Sequence, residues 1–260
     1  MSNANEKKSN TPILIIVGVL VLAVLGGWWL YSTSKPVTPA NSNAATNKAN
    51  SAAKTNTIPA NAPMGAQPPN QSGSQTAMVT LEEFADFQCG SCAAAHPALN
   101  EIKSIYGSRI RFIFRNYPLS IPAHDKSYDA AVAAEAAGMQ GKFWDMQNLL
   151  FTNQQAWTTA PTFRQIWKGY AEKIGLDIPK WENDIAGIAA KSRVDEDLKR
   201  GKAIGVNSTP TLFINGASIQ YVEMTVPALK QVIDAELQKL APQNQTANTA
   251  PAANTGNVNK

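Results

Sequence analysis

With 260 residues and a formal net charge of +4, the chain has room for one or two domains and enough positive charge to raise the question of a nucleic-acid partner. The placement of the charges excludes that partner. Of the 23 basic residues, Lys7, Lys8, Lys35, Lys48, Lys54 and Lys260 lie outside 78–240, as does Glu6 among the 19 acidic ones, so the stretch itself holds 17 against 18 and no basic footprint for DNA or RNA.

Residues 13–31, ILIIVGVLVLAVLGGWWLY, form an uncharged apolar run that would span about 28 Å as a helix, close to the ~30 Å hydrocarbon core of a bilayer. Lys7 and Lys8 precede it, and Trp28, Trp29 and Tyr31 end it, a pattern that suits a cytoplasmic amino terminus over 1–12 and an aromatic belt at the far interface. The run predicts a single-pass anchor in the bacterial cytoplasmic membrane, with the rest of the chain in the periplasm or outside. The competing reading is a cleaved signal peptide that leaves a soluble periplasmic domain, since Ser32 and Ser34 weakly imitate a cleavage site; the run is longer than the usual ~7 to 15 residue signal core. Segments 32–77 and 241–260 are rich in Asn, Ala, Thr, Ser, Pro and Gln, with few large apolar side chains to offset the entropy of ordering. They read as a disordered linker and a disordered tail around a folded part at 78–240.

Within that part, MVTLEEFADF (78–87) carries Val79, Leu81, Phe84 and Phe87 and reads as a strand. AAAHPALNEIKSIYG follows, with Leu99, Ile102 and Ile105 at helical spacing and Gly107 as its stop. RIRFIFRNY (109–117) alternates Ile110, Phe112 and Phe114 with Arg109, Arg111 and Arg115, which predicts a second strand. From about 124 to 203 the pattern is helical, punctuated by glycines and by Pro161 and Pro179. TPTLFING then reads as a strand entering an Asn215-Gly216 turn, with ASIQYV returning. TVPALKQVIDAELQKL closes the domain with a stripe of Leu229, Val232, Ile233, Leu237 and Leu240. The order is α/β, with a helical block interrupting a smaller unit.

The chemistry concentrates at FADFQCGSC. Cys89 and Cys92 are too close in sequence to staple distant parts of a fold. A zinc site needs about four ligands, and the spacing of His96 and His124 to the pair matches no usual zinc pattern, so no metal is expected. A redox role fits better. A cysteine at the amino end of a helix faces unpaired N–H groups and the positive end of the dipole, which favour the thiolate, the attacking form. Cys92, one turn later, is then placed to resolve a mixed disulfide.

Four landmarks carry a family resemblance across nearly all of 78–240: VTLEEFADFQCGSC followed by His96-Pro97, the helical segment with KFWDMQNLLF, GVNSTPTLFING, and the amphipathic last helix. The domain resembles a membrane-anchored bacterial DsbA-like thiol:disulfide oxidoreductase of the thioredoxin superfamily. The resemblance implies a thioredoxin-like fold with an inserted all-helical subdomain, no bound cofactor, and a cis bond at Thr209-Pro210 facing the cysteines, where an extended substrate segment pairs. It also implies that Glu83 is a buried carboxylate moving protons to and from Cys92. Glu82 and Asp86 are neighbours with the pattern of solvated charges; strand alternation puts Glu82 and Glu83 on opposite faces, so only one is expected to point inward. His96, before Pro97, resembles the family's helix kink and is taken as structural, while His124 lies in a loop with no partner identifiable. Gly90 and Ser91 depart from the family's stronger oxidases, which often carry Pro-His or Pro-Tyr; neither supplies a charge, though the Ser91 hydroxyl is a possible donor to Cys89.

These residues together predict an extracytoplasmic enzyme that promotes disulfide formation in secreted or envelope proteins. Its partners would be thiol-containing protein substrates and a membrane redox partner that resets the pair. The alternatives are an isomerase or reductase of the same fold, working with reduced cysteines, and a non-catalytic assembly factor that uses the groove beside Pro210 and would tolerate loss of Cys89.

Overall fold

The computed structural model describes residues 57–219 and 224–240. The apolar run 13–31, the amino-terminal 1–12, the linker up to residue 56 and the tail 241–260 lie outside the described residues. Among the described residues no helix is long and apolar enough to cross a membrane.

Five strands build the sheet: β1 (Asn70–Gly73), β2 (Val79–Ala85), β3 (Ile110–Asn116), β4 (Thr211–Ile214) and β5 (Ala217–Ile219). Their order is β1-β3-β2-β4-β5, with β2 central, parallel to β3 and antiparallel to β4. A parallel pair needs a crossover, and α1 (Gly90–Tyr106) supplies it, so β2 delivers the chain directly to the start of a helix. The β4–β5 hairpin turns on Asn215 and Gly216 with φ of 45° and 82°, the left-handed pair that this tight turn requires. The last helix, α8 (Val226–Leu240), packs on α1 through the buried Leu229 and Ile233. Leu240, at the end of the predicted stripe, is exposed.

Between β3 and β4 the expected helical block consists of α2 (Ser127–Gly138), α3 (Phe143–Thr152), α4 (Gln154–Thr158), α5 (Phe163–Lys173), α6 (Ile178–Ala186) and α7 (Ile188–Ala203). Its centre is α2, where Ala130, Ala131, Ala133, Ala134, Ala136 and Ala137 are all buried. Their small side chains let α3, α6 and α7 pack closely around one helix.

Both faces of the sheet are covered, and this corrects two expectations. Leu81, Phe112, Phe114 and Leu212 face the main core with α1 and α8, while Phe84, Phe213 and Tyr117 meet Ile204 and Val206 on the other side. Glu82 and Glu83 do point to opposite faces, yet both are buried, as is Asp86. Glu82 tolerates burial because Arg115 and Arg200 each approach its carboxylate at 2.7 Å. Arg115 is itself 3 % exposed and also binds Asp197 at 2.9 Å.

The segment expected to be linker up to residue 77 is, from residue 57 on, part of the fold. The Ile58 N–H donates to the Gly216 carbonyl at 2.9 Å, the strap then crosses the sheet, and β1 pairs with β3. Three arginines tie it down, of which Arg115 is buried. Arg115 donates to the Met64 and Ala66 carbonyls, Arg200 to the Pro63 carbonyl, and Arg193 to the Gln67 and Pro68 carbonyls. Gly65 adopts a φ of +74°, and a Cβ there would sit 2.8 Å from the Arg115 guanidinium, so the close crossing requires glycine. Composition suggested disorder because it registers apolar burial and misses backbone carbonyls satisfied by distant side chains.

Candidate active site

Cys89 is the residue that caps α1: its backbone is extended (φ −69°, ψ 116°) and its carbonyl already accepts the Ala93 N–H at 3.1 Å. The side chain therefore lies over the first turn, where amide N–H groups have no helical acceptor. Its thiol donates to the Thr209 carbonyl at 3.3 Å across the site. The Thr209–Pro210 peptide is cis, and its Thr209 carbonyl is the one that meets Cys89. The Cys89 pKa is brought down to about 5, foremost by the Cys92 thiol donating to its sulfur; burial opposes this, and the Thr209 side chain and the amides of Cys92 and Ser91 add to it. The Thr209 hydroxyl, buried and without another hydrogen-bond partner among the described residues, is the side-chain group that favours the thiolate. Ser91 thus contributes through its backbone N–H in place of the hydroxyl expected from sequence.

Cys92 is fully buried, and its pKa is pushed well up by that burial and by the neighbouring Cys89 sulfur, with a further contribution from the Glu83 charge. Both cysteines are free thiols. The two sulfurs have opposite tendencies at neutral pH, one held as thiolate and the other as thiol.

Glu83, 3 % exposed on the core face of β2, has its carboxyl pushed up to about 7 by burial, partly offset by Lys103. Lys103 is in turn lowered by burial and supported by Glu83. Its ammonium lies over the Trp144 and Phe112 rings, 4.5 and 5.1 Å from their centroids, which compensates part of its desolvation. Sequence reasoning missed Lys103, although a signal was present: it follows His96 and Leu99 at seven and four residues, a charge on the apolar stripe of α1.

The turn before Cys89 is tied down by side chains. The Asp86 carboxylate accepts from the Gln88 N–H (2.7 Å), the Leu119 N–H (2.8 Å), the Ser127 hydroxyl and His124 Nδ1 (2.7 Å). His124 therefore has a partner that sequence did not reveal. His96, 6 % exposed, contacts Asn148 at 3.0 Å and Asn100 at 2.9 Å and lies 4.9 Å from the Phe151 ring. Burial lowers its pKa, so it packs as a neutral ring beside Pro97. Gly90 and Ser91 are exposed, and Gly90 has open space around it. Among the described residues no cluster of three or more His, Cys, Asp or Glu has the arrangement of a metal site.

A family model described as thioredoxin matches residues 67–235. The fold is similar to that of oxidised BdbD from Bacillus subtilis, with a TM-score of 0.58 and 21 % identity over 68 % of this chain and 98 % of that one. It is also similar to the thiol-disulfide exchange protein alpha-DsbA2 from Wolbachia pipientis, with a TM-score of 0.54 and 20 % identity over 64 % of this chain and 86 % of that one. The expected thioredoxin-like sheet with inserted helices is therefore the observed one. In sequence, the chain is 36 % identical over 146 residues to the Na(+)/H(+) antiporter NhaA 1 of Mycolicibacterium gilvum, a match covering 55 % of this chain and 23 % of that protein. The Na(+)/H(+) antiporter NhaA of Herminiimonas arsenicoxydans is 34 % identical over 159 residues, 60 % of this chain and 24 % of that protein. The chain thus spans about a quarter of the length of these curated relatives, and their antiporter name describes proteins of which the match is a minor part.

Proposed function

This chain belongs to the thioredoxin family, and from that premise we propose that it is a thiol:disulfide oxidoreductase acting outside the cytoplasm, which passes a disulfide to secreted or envelope proteins. The observation that supports this direction is the place of Cys89 at the amino end of α1, where its pKa is lowered to about 5. Stabilising one sulfur of the dithiol as thiolate shifts the equilibrium toward the reduced form and makes the disulfide form more oxidising. Gly90 and Ser91 supply no charge for this, and helix amides, the Cys92 thiol and Thr209 do it in their place.

In the forward reaction a substrate thiolate attacks Cys89 Sγ of the Cys89–Cys92 disulfide. The S–S bond breaks, a mixed disulfide forms at Cys89, and Cys92 leaves with the electron pair and takes a proton from the Glu83 carboxyl. A second substrate thiolate then attacks the first substrate sulfur, and Cys89 departs as a thiolate, a good leaving group because of its low pKa. Two electrons have passed from the substrate dithiol to the enzyme. A partner disulfide restores the pair: Cys89 attacks one partner sulfur and expels the other as a thiolate, Glu83 withdraws the Cys92 proton, and Cys92 attacks Cys89 Sγ and expels the second partner thiolate. Glu83, at about 7, gives or accepts that proton with little bias near neutral pH. The cis-proline edge at Thr209 and Pro210 is the place for the extended substrate segment. The apolar run 13–31, with Lys7 and Lys8 before it, supports a membrane-tethered enzyme whose resetting partner lies in the same membrane.

Equilibration of the purified protein with glutathione buffers tests the direction. A potential well above that of thioredoxin, toward about −120 mV, is expected; a value near −270 mV refutes the oxidase and supports a reductase. Mixed disulfides captured by a Cys92→Ala variant in cells identify the substrates and the resetting partner.

A further inference from the structure

The catalytic turn, residues 86–89, receives two hydrogen bonds at its backbone carbonyls from one side chain of the helical insertion. Gln154, at the start of α4, directs its amide nitrogen at the Phe87 carbonyl (2.8 Å) and at the Cys89 carbonyl (3.0 Å). An amide nitrogen carries two N–H bonds, and this geometry uses both, a pairing that neither a hydroxyl nor a carboxylate reproduces. The Cys89 carbonyl is the one that also closes the first turn of α1 with Ala93, so the Gln154 contact is made at the capping residue itself. Gln154 lies beside Gly90 and Ala93 in the groove between α1 and the α3–α4 junction. Gly90, with open space about it, offers no alternative anchor there. The turn is also held through the Asp86 carboxylate and its donors.

We propose that Gln154 is a positioning residue through which the helical insertion orients the Cys89 turn and keeps the positive end of an amide dipole next to the reactive sulfur. The inference rests on the thiol:disulfide reading for its importance and stands independently of it for its physics. Loss of the donor frees the Phe87 carbonyl to turn toward the sulfur and leaves the Cys89 carbonyl on the Ala93 N–H alone, and a negative charge in its place repels both carbonyls and the thiolate. The thiolate is disfavoured in each case, more in the second.

The test is a titration of Cys89 in the full chain, following thiolate absorbance against pH, alongside thermal unfolding and the glutathione equilibrium. Gln154→Met, close in shape and without donors, is expected to raise the Cys89 pKa by about half a unit or more, a threefold or larger fall in the thiolate-to-thiol ratio. Gln154→Glu is expected to raise it further, and Gln155→Met, one residue along and exposed, to leave it unchanged. Parallel lowering of the reduction potential in the two Gln154 variants supports the assignment. An unchanged pKa in Gln154→Met overturns it, and so does a fall in melting temperature with no change in pKa, which would make Gln154 a structural contact only. If the wild-type protein exchanges no disulfides, the functional reading fails while the titration still decides the role of Gln154.

Discussion

Replacing Glu83 by Gln separates the proton carrier from its cost to the fold. The carboxyl is raised from 4.5 to about 7 by burial, and at about 1.4 kcal/mol per unit its ionisation in the folded protein costs about 3 kcal/mol. Below pH 4.5 the group is protonated in both the folded and unfolded states and contributes nothing. Between 4.5 and 7 the unfolded chain releases the proton while the folded one keeps it, so stability falls as pH rises, and above 7 the loss is complete. A glutamine has no such dependence. Whatever its buried amide costs is the same at every pH and cancels in a comparison of two pH values. The reduced Glu83→Gln protein is therefore expected to gain about 3 kcal/mol on wild type between pH 4 and pH 8, read from urea unfolding at both values. The same variant is expected to lose about 100-fold or more in the rate at which Cys92 resolves a mixed disulfide, since no group then accepts its proton. Parallel wild-type and variant stabilities across this pH range would refute the placement of a protonated carboxyl at Glu83.

Three further outcomes are expected. Thr209→Val keeps the shape of the side chain and removes the hydroxyl, so the Cys89 pKa is expected to rise by about one unit in a thiolate titration; an unchanged value would mean that the hydroxyl does not turn to the sulfur. The lowered Cys89 pKa makes the thiolate a source of stability that is present above the unfolded-state value and lost as pH falls toward about 5. Reduced wild type should therefore become progressively less stable relative to Cys89→Ser as pH is lowered from 9 to 5, measured by urea unfolding. Arg115→Met removes the cation paired with the buried Asp197, which keeps only the Ala66 and Asn116 N–H groups, and removes the donor to the Met64 and Ala66 carbonyls, while Glu82 keeps Arg200. A loss of about 3 to 5 kcal/mol in urea unfolding is expected, and a loss below about 1 kcal/mol would show that the strap and its ion pairs are not coupled.

What the sequence determined by itself was local. The alternation in VTLEEFA and IRFIFRN, the Asn215-Gly216 turn and the stripe on the last helix each depend on neighbours a few positions away, so strands, hairpin and helix were legible. Cys89 and Cys92 before a helix were legible for the same reason, because the helix end that activates the first cysteine is built from the adjoining backbone. The state of the other charges was decided only by tertiary structure. Alternation gave Glu82, Arg115 and Asp86 their faces and said nothing of what covers them. Cover comes from α7, from the loop at His124 and from the strap around Gly65, all distant in sequence. The strap itself lacks the apolar residues by which a folded segment is recognised, and it is ordered by arginines that donate to its carbonyls from β3 and α7. At the site, the groups that set the Cys89 thiolate and hold its turn include Thr209, 120 positions away, and Gln154, 65 positions away. A hydrogen bond is a matter of a few ångströms in space, and only the folded chain brings such residues within that range.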